Sequence, residues 1–269
     1  KLAEGQPFEP KTCRDIRDIY DELLLDEVMA EDPENCPDGE IFRSKPAILH
    51  GEDGKEMHNG MMPESKIIQA MQQALDFLND EGIEKLLRVC VFHYLIEYIH
   101  PFYDGNGRLG RFILSCGVSK VLEPLIACRL SGVIKNHIRE YYKAFQNCND
   151  KKNLGDLTPF IIMQLDMIET AMENLIETLE EKLAVWKKHE SEIDSIIGRE
   201  GELREVYSYL IQASLFSENG ISGRELEEEL GKSNYIVKKL ISQIPDELLT
   251  VRKNRNIKYY SLDLNKFRP

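Results

Sequence analysis

The sequence lacks the features of a membrane-spanning or disulfide-rich protein. No apolar run in its 269 residues approaches the ~18 residues that a membrane span needs, and residues 1–10 lack the apolar core of a signal peptide. The six cysteines, at positions 13, 36, 90, 116, 128 and 148, form no Cys-x-x-Cys pair. Cys90 and Cys116 lie in apolar runs, where cysteine usually behaves as a small buried side chain. We therefore expect a reduced, cytoplasmic protein with no membrane partner.

The sequence also lacks an excess of basic charge. Its 34 Lys and Arg residues against 47 Asp and Glu residues give a net charge of −13, which argues against wholesale wrapping of nucleic acid. The charge is uneven, because residues 1–200 carry 23 basic and 37 acidic side chains whereas residues 201–269 carry 11 and 10. At roughly 150 residues a domain, the length suggests two domains. We predict one domain over residues 1–198 and a second over residues 199–269.

Helical periodicity dominates the first of these domains. Apolar spacing predicts helices over residues 12–30, 67–78, 83–99, 131–147 and, as one or two long helices, 158–197. The stretch 83–99 is apolar on almost every face, so it should be buried on most sides. Short apolar runs on either side of Gly51-Glu52-Asp53-Gly54 predict a β-hairpin within residues 45–63. The predicted fold class of this domain is mainly α with one hairpin.

The C-terminal residues follow a different pattern. Helices are predicted over Leu203–Ala213, Ser222–Leu230 and Asn234–Ile244, with Ser222 and Glu225 at the spacing of a capping box. The runs LLTVRK and IKYYSL then alternate around the three residues NRN, which indicates a second hairpin. Three helices followed by a hairpin are typical of a small winged-helix (α+β) domain.

The segment between two central helices contains an anion-binding pattern. Gly105-Asn106-Gly107 stands where a helix should begin, near Asn106 or Gly107, so backbone N–H groups and the helix dipole can cradle an anion there. Arg108 and Arg111 are three residues apart and can reach the same side of the first turn to bind phosphate oxygens. Taken alone, such a glycine pair is more often an ordinary turn, and such arginines more often lie on a solvated face.

Two further residues of the segment have functional chemistry. Asp104 supplies a hard oxygen ligand suited to Mg²⁺ that carries a polyphosphate. His100 is the only side chain of the segment whose ordinary pKa, about 6.5, suits a base at neutral pH. Phe102 should anchor the segment in the core. A base, an anion cradle, a carboxylate and two cations within twelve residues favour phosphoryl or nucleotidyl transfer over coincidence.

This segment resembles a known family. HPFYDGNGRLGR, residues 100–111, matches the signature HPFx[D/E]GNGRxxR of Fic-domain proteins at every defined position. The resemblance covers about residues 12–165 and implies a Fic helical bundle with a core of about residues 45–165. The hairpin at 45–63 would be the family's flap, which orients the target and here carries Met57 and His58. Of the proline run that many members have in the flap, this sequence keeps only Pro63.

The resemblance implies transfer of AMP from ATP to a Ser, Thr or Tyr hydroxyl of a target protein, with release of pyrophosphate. His100 would take the hydroxyl proton and Asp104 would hold Mg²⁺. Backbone at Gly105, Asn106 and Gly107, together with Arg108 and Arg111, would bind the phosphates of ATP. Tyr142 and Asn149 would lie near the adenosine. A branch of the superfamily that transfers phosphate has Lys in place of Gly107, so Gly107 and Asp104 favour adenylyl transfer.

Many family members carry an inhibitory helix with the pattern Ser/Thr-x-x-x-Glu-Gly/Asn, whose Glu pairs with the second arginine of the signature. One match occurs here, Ser214 to Glu218-Asn219, but about 0.3 such matches are expected by chance in a chain of this length. Glu4-Gly5 would complete such a pattern only with a residue before Lys1. We assign no inhibitory glutamate.

Other functions stay open at this stage. Lys238, Lys239, Arg252, Lys253, Arg255 and Lys258 give the predicted winged helix a basic surface that could bind DNA. The chain would then be a transcriptional regulator with the Fic core as a nucleotide sensor. The same domain suits dimerisation, giving a homodimer, or docking of a target protein. A Fic enzyme with another nucleotide donor is a further alternative.

Overall fold

The computed structural model describes residues 9–50 and 56–266, and it describes side chains for these residues except 48–50 and 56–59. The chain divides into two units, residues 1–175 and 176–269. The division falls within a long helix, 23 residues before the predicted boundary between residues 198 and 199. That boundary stays a prediction.

The first unit begins with a continuous helical segment, as predicted over residues 12–30. It consists of α1 (Cys13–Tyr20), a π-helical turn (Asp21–Leu25) and α2 (Asp26–Glu31). Thr12 and Asp15 form a capping box, in which each side chain accepts a hydrogen bond from the backbone N–H of the other residue. A short 3₁₀ turn (Pro33–Asn35) follows.

The predicted hairpin within residues 45–63 is present. Strands β1 (Ile48–His50) and β2 (Glu56–Asn59) pair antiparallel, with Ile48 opposite Asn59. Gly51 to Gly54, where the turn is predicted, lie outside the described residues.

Three helices follow the hairpin, and the candidate segment joins the last two. They are α3 (Glu64–Leu78), α4 (Lys85–Ile99) and α5 (Asn106–Val118), which confirms the helices predicted over 67–78 and 83–99 and the start near Asn106. α4 packs between the other two. It buries residues on every face, among them Phe92, Tyr94 and Ile96, as its apolar composition predicted.

The prediction of one helix over residues 131–147 is wrong. Two helices occupy the region, α6 (Pro124–Asn136) and α7 (Ile138–Asn149). The break lies at His137, whose backbone (φ −112°, ψ 32°) leaves the helical region and whose N–H is shared between the carbonyl oxygens of Val133 and Ile134. α6 starts earlier than predicted because Pro124 is well suited to a first helical turn, where no N–H partner is needed.

The last helix of the body, α8 (Thr158–Ile197), is a single helix of 40 residues. Its first part contributes Phe160, Met167 and Ala171 to one hydrophobic core of the first unit, with residues of α4 and α7. A second core joins α1, α3, α4 and α5 beneath the segment 100–105. The candidate site therefore rests on packed helices.

The second unit contains the predicted helices and hairpin. After the end of α8 come α9 (Glu202–Phe216), β3 (Ile221–Ser222), α10 (Gly223–Leu230), α11 (Asn234–Ile241), β4 (Leu249–Asn254) and β5 (Ile257–Leu262). The three strands form an antiparallel sheet in the order β3-β5-β4. The predicted capping box is confirmed, because Ser222 and Glu225 exchange hydrogen bonds of 2.7 and 3.2 Å.

The predicted three-residue turn between the last two strands is wrong. Asn254 pairs with Ile257 in the ladder, so only Arg255 and Asn256 remain in the turn. Both have positive φ, 45° and 71°, which is the geometry of a two-residue type I′ hairpin. Among the described residues, no helix is long and apolar enough to cross a membrane.

Candidate functional site

The polar and charged residues of segment 100–111 are gathered around one cavity of about 290 Å³. Most predicted site residues line it: His100, Asp104, Gly105, Asn106, Gly107, Arg108, Arg111 and Tyr142. Four residues that the sequence did not single out for the site also line it: Glu97, Tyr103, Tyr141 and Phe145. A larger open groove of about 840 Å³ lies in the second unit, and no predicted catalytic or phosphate-binding residue lines it.

His100 is placed by the end of α4. Pro101 prevents the helix from continuing, and His100 takes a left-handed conformation (φ 52°, ψ 63°) while its N–H still donates to Ile96 O at 3.0 Å. The residue is buried, with 6% of its surface exposed, and it lies in the cavity wall. The histidine is therefore held at a fixed position by backbone geometry.

Arg43, which the sequence did not single out, fixes the same backbone. It is fully buried, and its Nε donates to the carbonyl oxygen of His100 at 2.8 Å. Its two terminal nitrogens donate to the carbonyl oxygens of Lys45 and Met61 at 2.5 and 2.9 Å. Because Lys45 and Met61 flank the hairpin in sequence, one guanidinium joins the ends of the hairpin to the backbone of His100.

The segment after His100 is closed by Phe102 and Asn106. Phe102 is fully buried and its ring stacks on Tyr20, with ring centroids 3.7 Å apart, so it anchors the segment in the core as predicted. The Asn106 side chain accepts from the Phe102 N–H at 3.0 Å and donates to the Phe102 carbonyl at 2.9 Å. This side chain is therefore occupied in holding the loop, which leaves the backbone of Asn106 as its predicted phosphate contact.

Gly105 allows the tight start of α5. Its φ of 83° is in the left-handed region, and an added Cβ would lie 3.1 Å from Tyr20 Cε2. No side chain caps α5. The first N–H groups of a helix have no partner within it and carry the positive end of its dipole, so this uncapped start can bind an anion.

Asp104 and Arg108 pair with each other. Arg108 Nη2 donates to Asp104 Oδ2 at 2.9 Å, and Arg108 Nη1 lies 2.8 Å from Glu27 Oε1 of α2. Asp104 Oδ1 accepts from the Gly105 N–H at 2.6 Å. The Asp104 side chain is 42% exposed, so it is accessible at the edge of the cavity. No cluster of three or more metal-binding side chains occurs among the described residues.

Arg111 also lines the cavity, and so does an unexpected acid, Glu97. Glu97 is 5% exposed, and burial raises its pKa to about 7 although Arg111 and Tyr141 lower it. Burial lowers the pKa of the neighbouring His93 to about 4, so this histidine is neutral. The sequence did carry a signal for Glu97, because a Glu within a helix that is apolar on almost every face is rarely buried without a partner.

One predicted site residue, Asn149, is placed differently, and two flap residues are not tested. Asn149 does not line the cavity; its Oδ1 accepts from Tyr94 OH at 2.6 Å, so its predicted contact with ATP gains no support. Met57 and His58 lie in β2, and their side chains are outside the described part of the chain. Ser214 of the chance inhibitory match accepts from the Leu262 N–H at 2.8 Å, which ties α9 to β5.

Part of the chain is similar to a known protein family. Residues 10–116 match the model of the Fic/DOC family. A structure of a Fic family protein from Desulfovibrio desulfuricans G20 superposes with a TM-score of 0.53 at 21% identity, covering 97% of this chain and 70% of that chain. This likeness supports the fold alone.

Curated relatives match part of the chain. Protein adenylyltransferase fic-1 of Caenorhabditis elegans is 28% identical over 141 residues, which are 47% of this chain and 26% of the relative. Protein adenylyltransferase Fic of Aedes aegypti is 31% identical over 81 residues, which are 30% of this chain and 14% of the relative. The chain thus aligns with about a quarter or less of the length of these relatives.

Proposed function

We propose that the protein is a protein adenylyltransferase, because residues 10–116 match the Fic/DOC family model. It transfers AMP from ATP to a Ser, Thr or Tyr hydroxyl of a target protein and releases pyrophosphate. The observation that carries the proposal is the single cavity lined by His100, the uncapped start of α5 and Arg111. The relatives named protein adenylyltransferases support the same reaction.

His100 acts as the general base. It takes the proton of the target hydroxyl as that oxygen attacks the α-phosphorus, and the bond to the β-phosphate oxygen breaks to release pyrophosphate. The backbone that Arg43 holds keeps the imidazole at the cavity wall.

The start of α5 binds the phosphates of ATP. The backbone N–H groups at Asn106 and Gly107 face no capping side chain, and Arg108 and Arg111 add positive charge. The Gly105 N–H, which donates to Asp104 in the free protein, joins them when it turns to phosphate. Arg108 exchanges its Asp104 partner for phosphate when the nucleotide binds.

Asp104 fits Mg²⁺. One accessible carboxylate is enough, because Mg²⁺ is commonly held by one or two carboxylates together with substrate phosphates and water. Bound there, Mg²⁺ would neutralise negative charge on the polyphosphate. Before the nucleotide binds, Arg108 Nη2 lies 2.9 Å from Asp104 Oδ2, and the departure of Arg108 to phosphate frees this oxygen for the metal.

Labelled ATP tests the reaction. Lysate is incubated with the protein and with ATP labelled at either the α- or the γ-phosphate. We expect protein-bound label from the α-phosphate only, and a loss of roughly 10²–10⁴-fold in His100→Ala. His137→Ala, which changes an exposed histidine of the same unit, should behave as wild type. Label from the γ-phosphate would mean phosphate transfer and would refute the proposal. Competition by unlabelled GTP, CTP and UTP separates ATP from another donor.

A second candidate function concerns residues 199–269, which we propose to be a winged helix that binds DNA, with the Fic core as a nucleotide sensor. α11 exposes Lys238 and Lys239, and the β4–β5 hairpin exposes Arg252, Lys253, Arg255 and Lys258. Such a helix and wing suit contact with a DNA backbone. The acidic residues 227–229 on α10 weaken this attraction, so adenylyl transfer remains the first proposal.

A gel shift tests DNA binding. At about 50 mM salt the wild type should shift a DNA duplex, and each lost phosphate contact in Lys253→Ala and Arg255→Ala should lower the salt slope by about one. Lys187→Ala removes an exposed charge of α8 and serves as the matched control. No shift for wild type would exclude DNA binding in favour of a protein-docking role.

A further inference from the structure

Glu97 is an acid in the cavity that the proposed reaction does not use. It lies on α4 one helical turn before His100 and lines the cavity together with Tyr141 of α7. Only 5% of its surface is exposed. An ionised carboxylate is costly to bury unless it is paired, so its surroundings decide its charge.

The cation near Glu97 is Arg111, and Gly107 lies close to both side chains. An added Cβ at Gly107 would lie 3.1 Å from Arg111 Nη1 and 3.5 Å from Glu97 Oε1. An added Cβ at Gly110 would lie 3.0 Å from the same Glu97 oxygen. Glycines at these positions of α5 therefore let the carboxyl and the guanidinium approach the same point of the cavity.

The Glu97 carboxyl and the Arg111 guanidinium do not form an ion pair with each other. Arg111 forms no ion pair with the described residues, and Glu97 Oε1 is buried without a hydrogen-bond partner among them. The guanidinium of Arg111 is thus available to a phosphate. An ionised Glu97 carboxyl would be close enough to repel that phosphate.

The other polar groups around Glu97 do not supply a second positive charge. On its own helix, His93 Nε2 lies 3.9 Å from Glu97 Oε1, and burial lowers the pKa of His93 to about 4. From α7, Tyr141 OH lies 3.3 Å from the same His93 nitrogen, and burial raises the pKa of Tyr141 well above its ordinary value. Gln164 of α8 is fully buried and uncharged. Among the residues that the structure describes, Arg111 of α5 is the cation that favours the ionised form of Glu97.

We propose that Glu97 takes up a proton when the phosphates of a nucleotide bind at Arg111, so that they meet a neutral acid in place of a second anion. The inference rests on the proposed function in that it assigns a nucleotide to this cavity. The physical reason is that the phosphates add negative charge beside a buried carboxylate, which favours its protonated form. The proton comes from solvent and no bond of the nucleotide changes.

Nucleotide affinity should then depend on pH. Because burial already raises the pKa of Glu97 to about 7, the free protein carries a mostly ionised carboxyl at pH 8 and a mostly protonated one at pH 6. If binding requires the protonated form, affinity falls by about tenfold between pH 6 and pH 8. A neutral amide at this position removes the dependence.

Calorimetric titration measures this proton directly. Full-length protein is titrated with Mg²⁺ and α,β-methylene ATP, which cannot be cleaved at the α–β bond, at pH 6, 7 and 8. Two buffers of different ionisation enthalpy at each pH give the number of protons taken up. We expect about one proton for wild type at pH 8 and little at pH 6. Glu97→Gln should take up none and should bind about tenfold more tightly than wild type at pH 8. Glu169→Gln, an exposed carboxylate of the same unit, should match wild type.

The outcomes separate this inference from the proposed function. Binding by wild type without proton uptake at pH 8 overturns the inference, and so does equal uptake in Glu97→Gln. The wild-type measurement decides even if the variant fails to fold. If the analogue does not bind at any pH, both the inference and the assignment of a nucleotide to this cavity fall. Transfer of α-label from ATP tests the reaction independently of proton uptake.

Discussion

At the scale of single residues, Arg43 connects two parts of the site that are far apart in sequence. It is fully buried, and burial lowers its pKa, but an arginine stays charged under ordinary conditions. Its partners are carbonyl oxygens of Lys45, Met61 and His100 rather than a carboxylate. Gly60 leaves it space, because an added Cβ there would overlap Arg43 Nη2. A guanidinium with its donors in a fixed fork is needed for this set of partners.

Arg43→Met should destabilise the protein and impair transfer more than nucleotide binding. The change leaves three carbonyl oxygens without their donor, which costs roughly 3 kcal/mol in the free energy of unfolding. Arg43→Lys keeps the charge but cannot reach all three, so it should fall between wild type and Arg43→Met. Urea unfolding and α-label transfer measure the two effects, with the exposed Arg139→Met as control. An unchanged unfolding midpoint in Arg43→Met would show that these bonds contribute nothing.

Glu97 and His93 should affect stability with opposite dependence on pH. Burial raises the pKa of Glu97 from 4.5 to about 7, so the unfolded chain loses this proton first and the free energy of unfolding falls as pH rises through that window. Burial lowers the pKa of His93 from 6.5 to about 4, so the unfolded chain gains this proton first and the free energy of unfolding falls as pH drops. Between about pH 4.5 and pH 6.5 both groups act, and their effects on the free energy of unfolding have opposite signs.

Replacing Glu97 isolates one slope. The stability of wild type minus that of Glu97→Gln should decrease as pH rises from 4.5 towards 7, by at most about 1.4 kcal/mol per pH unit. Urea unfolding at pH 4.5, 5.5 and 6.5 gives this difference, and Glu169→Gln should show none. A difference that is constant with pH would mean that Glu97 titrates alike in the folded and unfolded chains.

At the scale of elements, the start of α5 combines a tight turn with an open helix end. The turn requires positive φ at Gly105, and the side chains of Tyr20 and Leu24 from the N-terminal helical segment fill the space beneath it. The proposed phosphate-binding element is thus positioned by a segment more than 80 residues earlier in the chain.

Two glycine substitutions should have opposite effects. Gly105→Ala should lower the free energy of unfolding by roughly 1–3 kcal/mol and weaken nucleotide binding, because it combines backbone strain with contact against Tyr20. Gly132 lies in the interior of α6, and an added Cβ there would have no atom within 4 Å. Because alanine loses less conformational entropy than glycine in a helix, Gly132→Ala should stabilise the protein by about 0.5–1 kcal/mol. Thermal unfolding measures both. A stable Gly105→Ala variant with normal nucleotide affinity would contradict this account of the turn.

At the scale of the whole molecule, each unit has its own core. The cavity-lining residues lie between positions 97 and 145, within the first unit. In the second unit, Trp186, Ile193 and Ile197 of α8 pack with residues of α9 to α11, such as Val206 and Val237. A chain that ends at Gly198 therefore keeps the site but leaves those α8 residues without their core.

Truncation should preserve the reaction. Chains ending at Gly198 and at Leu175 should both retain α-label transfer to themselves or to a generic protein, and the longer one should aggregate more readily because of the uncovered α8 residues. Label transfer and thermal unfolding of both, beside the full chain, provide the measurement. Truncated chains that are folded yet inert would show that the second unit contributes to the active site. Activity above that of the full chain would assign the second unit a restraining role.

Local chemistry made the backbone of segment 100–111 predictable from sequence alone. Pro101 ends α4, Gly105 supplies a left-handed turn and Asn106 begins α5, and each of these effects depends on neighbours a few residues away. The same holds for the capping box at Ser222, for the apolar runs around a Gly/Asp turn that predicted the first hairpin, and for the alternation that predicted the second. At His137 the apolar patterns of α6 and α7 follow each other directly. The sequence therefore indicated one continuous helix, and the break between them could not be predicted.

Contacts between distant residues were decided only by the tertiary structure. Arg43 reaches His100 across 57 positions, and Tyr94 binds Asn149 across 55. Glu97 lies near Arg111 because α4 and α5 pack together through Gly107 and Gly110. The sequence shows that Glu97 is an acid within an apolar helix. The charge of Glu97, however, depends on its burial and on the groups that the fold places beside it. Burial and through-space electrostatics are properties of the packed chain, so sequence order alone does not contain them.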